Sequence, residues 1–464
     1  MKQIVLVIGC WLLITGSFAQ TVSQKLQKAF STFEKDNQLK YATSSFYVID
    51  AQTGQVVFDK NSRVGLAPAS TQKIITGVTA FELLGKNYNY KTSFGYTGEI
   101  IDGTLKGNLL ITGTGDPTFG SWRYQSSKPE VVFKEINDGL QRSGIKKIKG
   151  NFLITAENKD DSLFVPDGWI WQDIGNYYGA GSHGFNWNEN QYDLILKPGK
   201  HINDPVSIDS TFPAFNIKKD NNSLKTAAKN SGDNGYIYPD AGDSYLNYNG
   251  TIPMGYDQFI ISGSLQQPDL VFKNLLIKNL SENGILNNTT SLASNGNSKF
   301  QKKLFQHLSP SLDSIIYWLN KKSINLYAEA LIKTLAYEKK GLGSTDSGVV
   351  VIKDFWKQQG MDENELNMVD GSGLSPLNRV TTHAQVEILK YAKSKDWFPW
   401  FYNSLPEYNS MTMKSGTIRD VKGFCGYQKA KNGKEYIFSF LVNNYNGLPS
   451  ALVNKMYKVL DVLK

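Results

Sequence analysis

A serine and a lysine three positions apart, Ser70 and Lys73 in APASTQKIITG, stand where an apolar helical pattern begins. A serine hydroxyl is a weak nucleophile at neutral pH and needs a base within hydrogen-bond reach. Positions three apart share a helix face, so Lys73 can approach the Ser70 oxygen from one turn away. To accept a proton that lysine must be uncharged, and burial, nearby cations and the positive end of the helix all push its pKa down. The spacing alone is common. Ser143-Gly144-Ile145-Lys146 repeats it at a predicted helix end, where a structural role is expected.

Two further clusters add chemistry. Ser323-Ile324-Asn325 precedes a helix whose apolar residues run Leu326, Ala330, Leu331 and Leu335. Residues two apart do not share a helix face, so a loop must present Ser323 and Asn325 to one cavity. Ser281-Glu282-Asn283 shows that such triplets also arise without a role. Lys414-Ser415-Gly416-Thr417 ends the alternating stretch SMTMKSGT, which predicts a strand reaching a sheet edge. A glycine in that strand lets another backbone approach closely, as an extended peptide substrate requires. Lys414 supplies positive charge, and the Ser415 and Thr417 hydroxyls suit a carboxylate.

The elements that must position these residues are legible in outline. SSFYVIDAQTGQVVFDK, residues 44–60, predicts two strands about a Gln52-Thr53-Gly54 turn. After Pro68, the residues Ile74, Ile75, Val78, Phe81 and Leu84 recur at helical spacing, so Ser70 falls at a helix N-terminus. Between 96 and 290 the chain changes to short predicted strands, GNLLITGTGDPTF, IKKIKGNFLIT, NQYDLILKPG and DQFIISGS, divided by Gly, Pro, Asn and Asp turns. Within that insertion, the polar, turn-rich residues 218–250 suggest an exposed excursion or a small third module near 200–250. Helical patterns return at LDSIIYWLNKK and LYAEALIKTLAYEKK. A hairpin follows about Asn432-Gly433, and a C-terminal amphipathic helix carries Leu452, Met456, Leu460 and Leu463 on one face.

A chain of 464 residues exceeds what one hydrophobic core serves, so more than one domain is expected. Hydrophobic residues at 40% and 41 glycines favour a packed α/β (α+β) chain over a disordered one or a long helical bundle. Residues 1–19, an apolar run after Lys2 ending in small residues, predict an export signal; VIGC at Cys10 offers a lipoprotein reading as the minority alternative. With Cys10 removed, Cys425 stands alone, which excludes an internal disulfide and a cysteine-rich metal site. The four histidines lack metal-ligand spacing, so neither metal nor other cofactor is expected. The net charge of +8 is spread along the chain without a basic, aromatic-interleaved cluster, so no nucleic-acid partner is expected. No later segment is long and apolar enough to span a membrane.

Taken together, the three motifs in this order resemble those of the serine penicillin-recognising enzymes, S-x-x-K, S-x-N and K-[ST]-G. The chain is most similar to the D-alanyl-D-alanine carboxypeptidase/endopeptidase family of low-molecular-mass penicillin-binding proteins, whose members carry a large insertion between the first two motifs. Here 252 residues separate Ser70 from Ser323. GTGDPTF at 113–119, YYGAGSHGFNWNENQY at 177–192, KKSINLYAEAL at 321–331 and DGSGLSPLNRVTTHAQ at 370–385 resemble further blocks of that family, so the likeness covers nearly the whole chain after the signal.

The resemblance implies a penicillin-binding transpeptidase-like domain, an antiparallel sheet flanked by helices with a helical subdomain, formed by 20–95 and 291–464 and interrupted by a mainly β insertion at 96–290. It implies peptidoglycan stem peptides and cross-links as substrates, β-lactams as inhibitors and a periplasmic location. Ser70 would attack the carbonyl between two D-alanines while Lys73 takes its proton, and Ser323, between Lys73 and Lys414, would relay it to the departing amine. Asn325 would hold the substrate's peptide amide, and Ser415 and Thr417 its carboxylate. The backbone N–H groups of Ser70 and Thr417 would form an oxyanion hole, each donor contributing roughly 3–4 kcal/mol. Ile324 replaces the frequent Asp of the second motif and Ser415 the frequent Thr of the third, which leaves the required hydroxyls and amide in place. Glu363-Asn364-Glu365-Leu366-Asn367 resembles the deacylating loop of class A β-lactamases, but it runs into the MVDGSGLS block and is expected to be an exposed connector. A β-lactamase and a catalytically silent wall-binding protein are the alternatives.

Overall fold

The structure is a computed structural model and describes residues 20–157, 164–215, 220–239, 246–286 and 299–464. The predicted export signal and Cys10 lie outside the described residues, as do parts of the 218–250 stretch.

The two ends of the chain close one sheet. Thr43–Asp50 pairs antiparallel with Glu435–Asn443 in unbroken register, Thr43 opposite Asn443 and Asp50 opposite Tyr436. The full order is Glu407–Tyr408, Met411–Ile418, Val421–Lys429, Glu435–Asn443, Thr43–Asp50 and Val56–Lys60. Glu407–Tyr408 pairs with Met411 and Thr412, so among the described residues no strand pairs with the outer side of the neighbouring strand from Lys414 onward. Both hairpins predicted from the Gly-containing turns, at 51–55 and 430–434, are present.

Strand alternation sends side chains into two cores. Phe46, Val48, Phe438 and Phe440 meet Leu26, Phe30 and Phe33 of the helix Val22–Glu34 and Leu452, Met456 and Leu460 of Pro449–Leu460. Tyr47, Ile49 and Ile437 face the other way, onto Lys73–Leu84, Thr382–Lys393 and the helices Leu312–Lys321, Asn325–Lys340 and Thr345–Gln358. With both faces covered, FYVI and YIFSFLV read as continuous apolar runs. The Phe46 and Phe440 rings sit 4.7 Å apart, and burying each such ring contributes about 1.5–3 kcal/mol.

The insertion has its own core of Phe94, Ile111, Phe119, Trp187, Tyr192, Tyr248 and Phe272. Its main sheet runs Lys302–Leu308, Lys91–Tyr96, Leu109–Gly113 and Phe152–Ala156, the last two parallel and joined by the helix Pro129–Arg142. Lys302–Leu308 and all of Lys91–Tyr96 but its last residue, which fall outside the 96–290 range, thus pair within the insertion. The 218–250 region contributes a small sheet of Asp220–Asn222, Lys225–Ala227, Asn234–Pro239 and Leu246–Pro253, whose Leu224, Ile237, Tyr248 and Ile252 join the same core. The second long helix of this body is Pro268–Glu282. Among the described residues no helix is long and apolar enough to cross a membrane.

Candidate active site

Ser70 lies in a single 3-10 turn, Ala69–Gln72, that feeds directly into the helix Lys73–Leu84. Ala69 before it has a left-handed backbone (φ 48°). Such a conformation costs a non-glycine residue of order 1 kcal/mol and persists only where the surroundings impose it. They do so here. Gly373 packs so tightly that a methyl on it would stand 2.0 Å from the Ala69 carbonyl oxygen.

One turn on, Lys73 is fully buried. Its Nζ lies 2.9 Å from Ser70 Oγ, 2.6 Å from Asn325 Oδ1 and 2.9 Å from the Ser372 carbonyl oxygen. Burial lowers its pKa to about 7, against the opposing pull of the Asp370 and Glu329 carboxylates. A neutral amine has two N–H donors and one lone pair. With Asn325 Oδ1 and Ser372 O taking the two donors, the lone pair is left for the Ser70 hydroxyl proton. The three-residue spacing therefore sets a buried amine against a serine hydroxyl.

Ser323 also has a left-handed backbone (φ 56°), which turns the chain just before the helix Asn325–Lys340. Its Oγ accepts from Lys414 Nζ at 2.9 Å, and Lys414 also donates to the Ser415 carbonyl at 2.8 Å. Burial and the neighbouring Lys73 drive the Lys414 pKa well down. Lys73 spends its third contact on Ser372 O, so the direct bonds are Lys73 with Ser70 and Lys414 with Ser323. Asn325 bridges instead: its Oδ1 accepts from Lys73 and its Nδ2 donates to the Tyr178 carbonyl at 2.6 Å. These two bonds leave one Nδ2 proton uncommitted.

Gly416 serves a closer neighbour than the substrate expected from the sequence. A methyl there would stand 2.6 Å from Pro68 O and 2.9 Å from Ser70 N, so the backbone that approaches this glycine is the turn carrying Ser70. At the strand's end, Thr417 Oγ1 accepts from Lys422 Nζ at 2.7 Å, and burial lowers the Lys422 pKa to about 8. Residues 70, 73, 323, 325, 414 and 416 thus meet in one place.

Several members of this site escape motif reading. Asp370, fully buried, accepts from Gln72 Nε2, Gly373 N and Asn378 Nδ2 on one oxygen and from Ser375 N and Trp169 Nε1 on the other. Glu329 accepts from Gly371 N and Ser372 N, and burial with Asp370 nearby pushes its carboxyl up. Together these carboxylates fix the loop that offers Ser372 O to Lys73. The available signals were an acidic residue inside the apolar pattern of LYAEAL and the dense glycine-polar run DGSG. Trp169 and Tyr178 come from the insertion, which also contacts the helix Asn325–Lys340 through Tyr327 Oη to Glu189 (2.7 Å) and Lys333 Nζ to Ser182 O (3.0 Å).

The decoys resolve plainly. Ser143 closes the helix Pro129–Arg142 and donates to Gly139 O. Glu363 pairs with Lys357 at 2.7 Å, and the buried carboxylate of that stretch, Glu365, is held by Arg63, Thr381 and His383.

Residues 26–461 match the family model described as the D-Ala-D-Ala carboxypeptidase 3 (S13) family. The chain belongs to that family. It is similar to the D-alanyl-D-alanine carboxypeptidase of Actinomadura sp. (strain R39), 25% identical over 91% of this chain and 82% of that protein. It is equally similar to the D-alanyl-D-alanine carboxypeptidase DacB of Haemophilus influenzae, 25% identical over 93% and 92%. The crystal structure of penicillin binding protein 4 from Haemophilus influenzae superposes with a TM-score of 0.80 at 21% identity, covering 93% of this chain and 98% of that one. A further structure of that protein, complexed with a β-lactam, superposes at 0.72 with 19% identity over 95% of this chain and 99% of that one. The fold is therefore the penicillin-binding transpeptidase-like one with an inserted body.

Proposed function

We propose that this member of the family is a serine D-Ala-D-Ala carboxypeptidase and endopeptidase acting on peptidoglycan stem peptides and cross-links through an ester on Ser70. The observation that carries the reading is the buried Lys73 amine 2.9 Å from Ser70 Oγ, its charge disfavoured by burial.

Ser70 Oγ attacks the carbonyl of the penultimate residue as Lys73 takes its proton. The backbone N–H groups of Ser70 and Thr417 receive the oxyanion, and the Gly416 contact fixes their separation. Ser323, held by Lys414, hands a proton to the departing amine and is reprotonated from the lysine pair. Asn325 Nδ2 holds the substrate's backbone, and Ser415, Thr417 and the cation of Lys422 take its terminal carboxylate. Water then releases the acyl group by the reverse proton path. β-Lactams enter the same steps and remain as esters, and a cell-wall substrate fits export to the periplasm.

Labelling with fluorescent penicillin tests this. Wild type should acquire a persistent label that Ser70→Ala lacks. Rapid release would identify a β-lactamase, and an unlabelled wild type would leave only a silent binder.

A further inference from the structure

On the insertion, a cleft of about 440 Å³ opens between the short helix Trp171–Ile174 and the small sheet. That volume is within the roughly 300–1,000 Å³ range of small-molecule sites. Trp171 and Tyr238 form one wall, and Gln172, Asn221, Asn247 and Asn249 supply amides around it. Among the described residues none that lines it is charged, although the chain carries +8.

Trp171 is 58% exposed, an unusual state for so large an apolar ring. It is nevertheless held in place: its Nε1 donates to Pro239 O at 2.9 Å, and its ring sits 5.2 Å from that of Tyr238 at 55°. Asn221 Nδ2 lies 3.3 Å from Asn247 Oδ1 across the adjoining strands. A fixed aromatic face attracts the polarised C–H groups of a pyranose ring, and each primary amide offers both a donor and an acceptor to hydroxyl and N-acetyl groups. An anionic polymer would find no cation among the described residues lining the cleft. A protein partner would find amides where an apolar hot spot is needed.

We propose that this cleft binds an uncharged N-acetylated hexosamine segment, the glycan portion of the peptidoglycan whose peptide enters the active site. This inference rests on the carboxypeptidase reading for its substrate. A single run of chain joins the two places: Trp171 lines the cleft, and the Tyr178 carbonyl accepts from Asn325. Seven residues of chain separate them by at most about 25 Å, while an extended pentapeptide spans about 17 Å. A glycan held at Trp171 would therefore start its stem peptide within about 25 Å of the residue that contacts Asn325.

The test is calorimetric titration of the full-length protein with the tetramer of N-acetylglucosamine. Wild type and Ser70→Ala should both give saturable heat. Trp171→Ala should weaken binding by about tenfold or more, as loss of one aromatic platform predicts. Asn221→Ala with Asn249→Ala, both at exposed positions, should weaken it as well, and this pair decides the matter if Trp171→Ala does not fold. Fluorescent penicillin labelling certifies the fold of each variant. On glycan-linked substrate the variants should raise KM and leave kcat in place. Absence of saturable heat with labelled wild type, or equal affinity in wild type and both variants, overturns the proposal. Saturable sugar binding by a wild type that takes no penicillin would instead overturn the catalytic reading and leave the cleft standing.

Discussion

Acylation should titrate with Lys73. An unperturbed lysine near pKa 10.5 is neutral in only about three molecules per ten thousand at pH 7. Burial brings this one to about 7, so half is neutral there. That displacement raises the fraction of competent base at pH 7 by about 10³. The sign is set by the neutral form being the active one: the rate falls as pH drops below the folded-state pKa. The second-order rate constant for acylation by a chromogenic β-lactam, measured from pH 5 to 9, should rise tenfold per unit up to an inflection near 7 and then level off. Lys73→Arg keeps a cation that stays charged throughout this range, and should cost about 10³ or more at every pH. A flat profile in wild type, or a rise continuing past pH 9, would mean that Lys73 is not the base, and the mechanism built on it would fall.

Other perturbations probe the supporting structure. Gly416→Ala forces a methyl against Pro68 O and Ser70 N; a stability loss of about 1–3 kcal/mol in denaturant titration and slowed penicillin labelling are expected. Asp370→Asn places an amide N–H₂ among five donors, which should cost about 2–4 kcal/mol and lower the melting temperature. Lys422→Met should raise KM for peptides with a free terminal carboxylate and spare those whose carboxyl is amidated; in wild type, this advantage should fade above about pH 8 as Lys422 loses its proton. Glu363→Gln should leave release of the penicillin label unchanged, because its carboxylate pairs with Lys357 at the end of the preceding helix.

The sequence alone determined the local half of this protein. Helical spacing after Pro68 put Lys73 one turn from Ser70, strand alternation ending at Lys414 marked a sheet edge, and glycine-bearing turns located both hairpins, because these are short-range consequences of backbone period and φ preference. The three motifs in order were sufficient to indicate the family. Tertiary structure alone decided which groups face each other. Sequence spacing does not say that Lys73 meets Asn325 and Ser372 rather than Ser323, or that Gly416 clears space for the turn carrying Ser70. Nor does it say that Glu329 and Asp370, a helix and a loop apart, brace one lysine. Those pairings join residues hundreds of positions apart, and they are fixed by how two cores fill and by the need of each buried polar group for a partner, a condition that only the folded chain can satisfy.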